Sequence, residues 1–440
     1  MRAANYWKRT PISNTYLGLF DGPHATPKPS DEGPVFLGIG NITEDGHLDL
    51  GNVRHIAEED FPQWTKRVEP RPGDIVFTYE ATLNRYAIIP EGFRGCLGRR
   101  LALIRPNPSV VDTRFLHFYF FSEDWRTTIA SNILAGATVE RIPLTKFPDF
   151  PVSLPPLAAQ RRIASILSAY DDLIENNTRR IAILEEMARR IYEEWFVRFR
   201  YPGHDGVRMV ESALGPVPEG WAYEPLGSLL AHHIGGGWGQ EEPSDEHSVP
   251  AYVIRGTDIP DVRFMSLGRS PLRYHTPSNF RSRKLESRDI VFEVSGGSKD
   301  QPVGRAVMVP ELLLKRSDAP VICASFCRLV RADASQILPE LLRFHFDRIY
   351  ESRQIMQYQT QSTGITNFKF TVFIDKEAVL KPSRAVQDMF AEKIYPMLRL
   401  SESLGVMNTN LRTTRDLLLP KLISGDLDVS ELPLPEAIAA

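Results

Sequence analysis

Between Pro155 and Arg200 the chain carries one unbroken seam: Ile163, Leu167, Tyr170, Ile174, Asn177, Ile181, Leu184, Ala188, Ile191 and Trp195. Its steps alternate four and three, the spacing of a long helix lying along another helix. No Gly occurs in the stretch and no Pro follows Pro156, so nothing interrupts it. At 1.5 Å per residue such a helix spans roughly 60 Å. Alone it would leave its seam in water, so it requires a partner. A second seam of the same steps runs from about Arg384 to Ser424: Phe390, Ile394, Met397, Ser401, Leu404, Asn408, Leu411, Arg415, Leu418 and Leu422. Laid antiparallel, the two seams set Asn177 against Asn408 and Tyr170 against Arg415. A buried Asn pair fixes register at some cost in stability. The other reading places each Asn at a solvated edge.

The rest of the chain reads as two versions of one domain, each followed by a long helix. Asp74-Ile75-Val76-Phe77 recurs as Asp289-Ile290-Val291-Phe292, and Gly136 and Thr138 recur as Gly364 and Thr366. This is an internal duplication. The expected organisation is residues 1–155, a first domain; 156–205, a central helix; 206–382, a second domain; 383–427, a C-terminal helix; and 428–440, a frayed tail. Within a copy, short β-rich runs such as Asp74–Thr78, Ala87–Pro90 and Leu101–Arg105 are bounded by Gly, Pro and Asn. One helix per copy is expected, near Arg114–Ile133 and Pro339–Tyr358. The fold class is therefore α+β, with mostly antiparallel strands and a pair of long helices packed as an antiparallel coiled coil.

At 440 residues, 42% hydrophobic and 24% charged, the composition is that of a globular protein of two or three domains. Met1 to Arg9 lacks the apolar core of a secretory signal, and no run approaches the ~18 apolar residues of a membrane span. A soluble, cytoplasmic chain is expected. Three cysteines (Cys96, Cys323, Cys327) do not make a disulfide scaffold, and Cys323 and Cys327, four apart in the apolar run Ile322–Cys327, read as buried thiols rather than metal ligands. A net charge of -3 argues mildly against a large unspecific nucleic-acid surface. Of 52 basic residues 40 are Arg and 12 Lys, which suits bidentate contacts with guanine and phosphate. A GC-rich genome would give the same bias.

No catalytic constellation emerges. Phe36-Leu37-Gly38-Ile39-Gly40 matches the F-x-G-x-G turn of S-adenosylmethionine-dependent methyltransferases. The only Pro-Pro, in Leu154-Pro155-Pro156-Leu157, lacks the polar and aromatic flanks that amino-methylating enzymes use around a target base. No acid-x-Lys pair of a metal-dependent nuclease and no phosphate loop is present. The adjacent His232-His233 points to opposite strand faces more readily than to one metal. Non-catalytic function and no metal site are expected.

Polar loops at corresponding places in the copies are what remain. Tyr79, Glu80, Thr82, Asn84, Arg85 and Tyr86 follow the first Asp-Ile-Val-Phe strand; Ser295, Ser298, Lys299 and Gln301 follow the second. A further turn holds Thr138 and Arg141, opposite Thr366, Asn367 and Lys369. Asn and Gln can read adenine, Arg and Lys guanine, and Glu can accept from cytosine. The flanking strands agree and the loops differ, which suits two readers with different targets. Divergent loops in any duplicated domain would look the same. Arg269–Lys284 is the most basic run and could grip phosphates.

Three motifs resemble the specificity subunits of type I restriction-modification systems. Pro156-Leu157-Ala158-Ala159-Gln160-Arg161-Arg162-Ile163 is similar to that family's P-L-x-x-Q-x-x-I opening of the central helix. Gly215–Trp221, continuing to Pro225-Leu226-Gly227, resembles its start of the second recognition domain, and Arg415–Leu427 its C-terminal signature. Pro382–Gln387 is a degenerate copy of the helix-opening motif, and the first domain opens on Trp7 without the Gly-Trp preamble. The resemblance implies a non-catalytic reader of double-stranded DNA, with two target recognition domains reading the halves of a bipartite, asymmetric site. The long helices would serve as ruler between half-sites and as docking surface for two methyltransferase subunits. Restriction/translocase subunits would join later. S-adenosylmethionine and ATP would belong to those partners, with no cofactor in this chain. Alternatives are the recognition module of a fused restriction-methylation enzyme, a methyltransferase built on Phe36–Gly40, and a coiled-coil scaffold without a DNA role.

Overall fold

A computed structural model describes residues 7–134, 139–296, 301–362, 365–429 and 431–432. Gly136, Thr138, Ser298, Lys299 and Gly364 lie outside the described residues. The contacts divide the chain into two compact units, Met1–Asp172 with Arg412–Ala440, and Leu173–Leu411.

The first unit holds β1 (Lys8–Pro11), β2 (Tyr16–Asp21), β3 (Ser30–Leu37), β4 (Arg54–His55), β5 (Ile75–Thr78), β6 (Tyr86–Ile88), β7 (Gly95–Leu97), β8 (Leu101–Pro106) and β9 (Pro151–Leu154). They form a four-stranded sheet, β2-β8-β5-β6, a three-stranded sheet, β4-β3-β7, and the pair β1-β9. In the second unit a short pair, β10 (Met209–Val210) and β11 (Val217–Pro218), precedes β12 (Ala222–Pro225), β13 (Leu230–Gly235), β14 (Val249–Ile254), β15 (Leu272–His275) and β16 (Ile290–Glu293). Then come β17 (Ser295–Gly296), β18 (Ala306–Met308), β19 (Val321–Cys323), β20 (Cys327–Ala332), β21 (Gln359–Ser362), β22 (Ile365–Phe368) and β23 (Ala378–Lys381). The same three sheets recur as β13-β20-β16-β18, β15-β14-β19 and β12-β23, with β17-β22-β21 added. Pairing is antiparallel except β3 with β7 and its counterpart, β14 with β19. The two domains thus share one topology, as the duplicated sequence implied.

The Ile-Val-Phe runs are buried along their whole length because each strand is central and covered on both faces. The Asp before each is buried too. Arg105 donates to Asp74 through Nε and Nη2 at 2.8 Å each, and Arg331 to Asp289 at 2.7 Å each. Such forked pairing is the geometry that makes a buried carboxylate tolerable.

One expected helix breaks in two. Thr113–Tyr119 and Glu123–Ala130 are separate because the Ser122 side chain caps the second, accepting from the Trp125 amide at 3.3 Å. Its counterpart is helical over Pro339–Glu351 and then tightens to a 3-10 turn over Gln354–Tyr358, after Arg353 adopts φ 61°.

The central helix runs Leu157–Tyr192 and closes in a π turn over Glu193–Val197; the C-terminal helix runs Arg384–Ser424. In the first unit Ile163 and Leu167 share a core with Leu418, Leu422 and Ile423. In the second unit Trp195 and Phe196 lie against Phe390, with ring centroids 5.9 and 4.9 Å apart. Midway, buried Asn177 Nδ2 donates to Asn408 Oδ1 at 2.9 Å, and Asn408 Nδ2 donates to the Ile174 carbonyl and to Thr178 Oγ1. The helices are therefore antiparallel in each unit. Arg415 pairs with Asp171 at 2.5 Å, one residue beyond the Tyr170 set opposite it by the seam count.

Each helix is tied to its sheets by a glutamine. Buried Gln160 accepts from the Asp112 amide and donates to the Val110 and Pro155 carbonyls. Gln387 does the same with the Leu338 amide and the Gln336 and Pro382 carbonyls. The degenerate motif at Pro382–Gln387 thus keeps the residue that makes the joint.

Candidate nucleic-acid interface

The loops after β5 and β16 meet a second turn in each unit through equivalent backbone bonds. In the first unit the Tyr79 amide donates to the Arg100 carbonyl at 3.2 Å, and the Ile142 amide to the Tyr79 carbonyl at 3.0 Å. In the second, the Val294 amide donates to the Phe326 carbonyl at 2.8 Å, and the Phe368 amide to the Val294 carbonyl at 2.9 Å. Glu80 bridges Arg141, and Ser295 stands in register with Asn367. Three positions therefore correspond across the units: Glu80 with Ser295, Arg100 with Phe326, and Arg141 with Asn367. Close backbone approach holds them. A Cβ on Gly22, or on its counterpart Gly236, would overlap the carbonyl of Gly98 or Ala324.

In the first unit Arg100 Nε donates to Glu80 Oε1 at 3.3 Å, and Arg141 and Thr82 are exposed. Beside them a groove of about 410 Å³ is lined by Asn41, Asn52, Arg54, Arg99 and Arg100. In the second, Ser295 Oγ donates to Asn367 Oδ1 at 2.9 Å. Its groove, about 520 Å³, is lined by Ser295, Phe326, Arg328, Asn367 and Lys369, among others. The Arg328 guanidinium lies 4.6 Å from the Phe370 ring centroid, and burial lowers its pKa. Thr366 is half-buried, and Gln301 is exposed outside that groove lining.

Four of the residues proposed from sequence have structural duties instead. Tyr79 and Tyr86 are core residues: Tyr79 Oη donates to the Arg99 carbonyl, and Tyr86 Oη accepts from Trp125 Nε1 at 2.8 Å. Burial raises the pKa of both phenols. A Tyr followed by polar residues looks like a surface aromatic in sequence, but here the ring fills the core and the hydroxyl finds an internal partner. Asn84 turns the chain with φ 60°, which Asn tolerates well. Arg85 is spent on Glu44 at 2.8 Å and the Ile42 carbonyl.

Sequence reasoning missed Arg99, Arg100, Phe326 and Arg328. Cys323 and Cys327 are buried, as read from sequence, and burial pushes the Cys323 thiol up to about 12; Phe326, between them in the same apolar run, is 58% exposed. The basic run Arg269–Lys284 is largely committed: Arg273 pairs with Glu241 and stacks on Trp238, and Arg283 Nε donates to the Gly235 carbonyl. Arg281 and Lys284 remain exposed. The Phe36–Gly40 turn is an ordinary one. The Gly38 amide donates to Asn41 Oδ1 at 2.8 Å, and the Arg255 amide to Asp258 Oδ2 at 2.9 Å in the other unit, without the glycine pattern.

The family model described as "Type I restriction modification DNA specificity domain" matches residues 34–186. The MjaIX specificity subunit of a type I restriction enzyme from Methanocaldococcus jannaschii is 24% identical over 86% of this chain and 83% of its own length. The HindI specificity subunit from Haemophilus influenzae is 21% identical over 89% and 94%. In fold, the type I S subunit from M. genitalium superposes with a TM-score of 0.53 at 13% identity, covering 96% of this chain and 98% of that one.

Proposed function

This chain belongs to the specificity subunits of type I restriction-modification systems, and from that we propose how its parts divide the work. It is a non-catalytic, sequence-specific DNA-binding subunit that reads a bipartite, asymmetric target. Residues 1–155 read one half and residues 206–382 the other. The helices at 156–205 and 383–427 set the spacing between halves, and 428–440 is a tail. Subunits of this kind bind DNA and assemble with methyltransferase and restriction subunits. In our reading two methyltransferases dock on the helix pair, bringing S-adenosylmethionine, and the translocating restriction subunits bring ATP. They would also supply the basic surface that a net charge of -3 withholds. Among the described residues no helix is long and apolar enough to cross a membrane; we place the subunit in the cytoplasm.

The observation that carries this reading is one topology built twice, with the same backbone bonds at the tips and different side chains on them. Kept frames with different side chains suit two readers with different targets. The reading as a methyltransferase is not favoured: the Gly38 amide is taken by Asn41 Oδ1, and the corresponding turn at Arg255–Asp258 keeps that bond without the glycines. The test exchanges residues 1–150 for those of another family member and maps methylated adenines in genomic DNA. One half of the modified sequence should change and the other stay. Change in both, or in neither, refutes the division of labour.

A further inference from the structure

Resting on that reading, we infer that the three corresponding tip positions choose the base-pair class of each half-site. Glu80, Arg100 and Arg141 read a G·C pair; Ser295, Phe326 and Asn367 read an A·T pair. The frames are equivalent, since both Arg100 and Phe326 offer their carbonyl to the residue before the first tip position. Both Glu80–Arg141 and Ser295–Asn367 are cross-strand neighbours. What differs is chemistry. The first set carries two guanidiniums and a carboxylate, the second none of either.

In the first set Glu80 engages Arg100 through Nε, not through the Nη pair. A guanidinium steadied from behind suits the O6 and N7 acceptors of guanine, and a carboxylate accepts from the cytosine amino group. In the second set the Ser295 hydroxyl donates to Asn367 Oδ1, which orients an exposed carboxamide. A carboxamide matches the N6 donor and N7 acceptor of adenine. Phe326, 58% exposed in the same groove, supplies the apolar contact that the thymine methyl takes.

The experiment uses the full chain assembled with its methyltransferase subunits. Methylation rates are compared on duplexes carrying each of the four base pairs at every position of both half-sites. Arg100→Ala and Arg141→Ala should collapse a roughly ten- to hundred-fold preference for G·C in the half assigned to residues 1–155. Phe326→Ala and Asn367→Ala should do so for A·T in the other half. Arg100→Gln removes the charge and offers a carboxamide suited to adenine, so it should move the preference away from G·C, whereas loss of a phosphate contact would lower all duplexes alike. Preferences that persist, or a uniform drop on all duplexes, overturn the inference. If the unsubstituted complex marks a two-part sequence and the variants leave it unchanged, only this inference falls. If it marks no two-part sequence, the functional reading falls with it.

Discussion

Gln160 and Gln387 show how much a single residue can hold. Each satisfies one amide and two carbonyls where a long helix leaves its sheets, a region that otherwise strands backbone groups. Gln160→Ala should cost roughly 1–3 kcal/mol, because those groups stay buried without partners. Denaturant unfolding measures it, and Gln387→Ala should behave alike. His117 carries a pH dependence. Burial pushes its imidazole down to about 4, against ~6.5 in an unfolded chain. Between those values the unfolded state binds the extra proton, so stability falls as pH drops from about 6.5 to 4. His47, raised by its bond to Asp45, acts in the opposite sense and loses its contribution as pH rises. His117→Gln should therefore flatten the acid side of a melting-temperature profile, by on the order of 2 kcal/mol; an unchanged slope would refute the assignment. At this scale sequence was least informative. Tyr86 and Phe326 are both aromatic residues beside polar ones, and only the fold buries the first and exposes the second.

Among elements, the long helices were the most legible, because a seam repeated over ten positions leaves little choice of partner or direction. The Asn177–Asn408 contact follows from counting along both seams. Asn177→Ala should destabilise by roughly 1–3 kcal/mol by leaving the buried Asn408 Oδ1 without its donor, while leucine at both positions should recover the loss and relax the register. Unfolding measures the first effect and cross-linking across the pair the second. Adding about one turn of helix near Leu184–Ile191 should change the spacer tolerated between half-sites, read from the methylated sequence. The seam did not foretell that the C-terminal helix passes through Pro396, Gly405 and Pro420 unbroken. Each weakens a helix in isolation, and packing of Phe390, Ile394 and Leu398 into the second unit's core outweighs the first of them. Nor did it foretell the break at Ser122, a local cap that overrides an apolar period.

For the molecule as a whole, the duplication predicts reciprocity. Exchanging residues 206–382 should alter the half-site that exchanging 1–150 leaves alone, and methylome sequencing of both chimaeras checks it. Fold class, duplication and helix pairing were all readable from the chain, since each rests on periodic patterns that burial imposes on many residues at once. The candidate site was readable only in outline. Its loops were located, but Thr82, Ser295 and Asn367 were named along with Tyr79 and Tyr86, while Arg100 and Phe326 were overlooked. Those two stand far along the chain from the loops they join, and a backbone bond across strands brings them there. A linear pattern reports which faces are buried. Which side chains meet at a tip depends on cross-strand register, and that exists only once the sheets have formed.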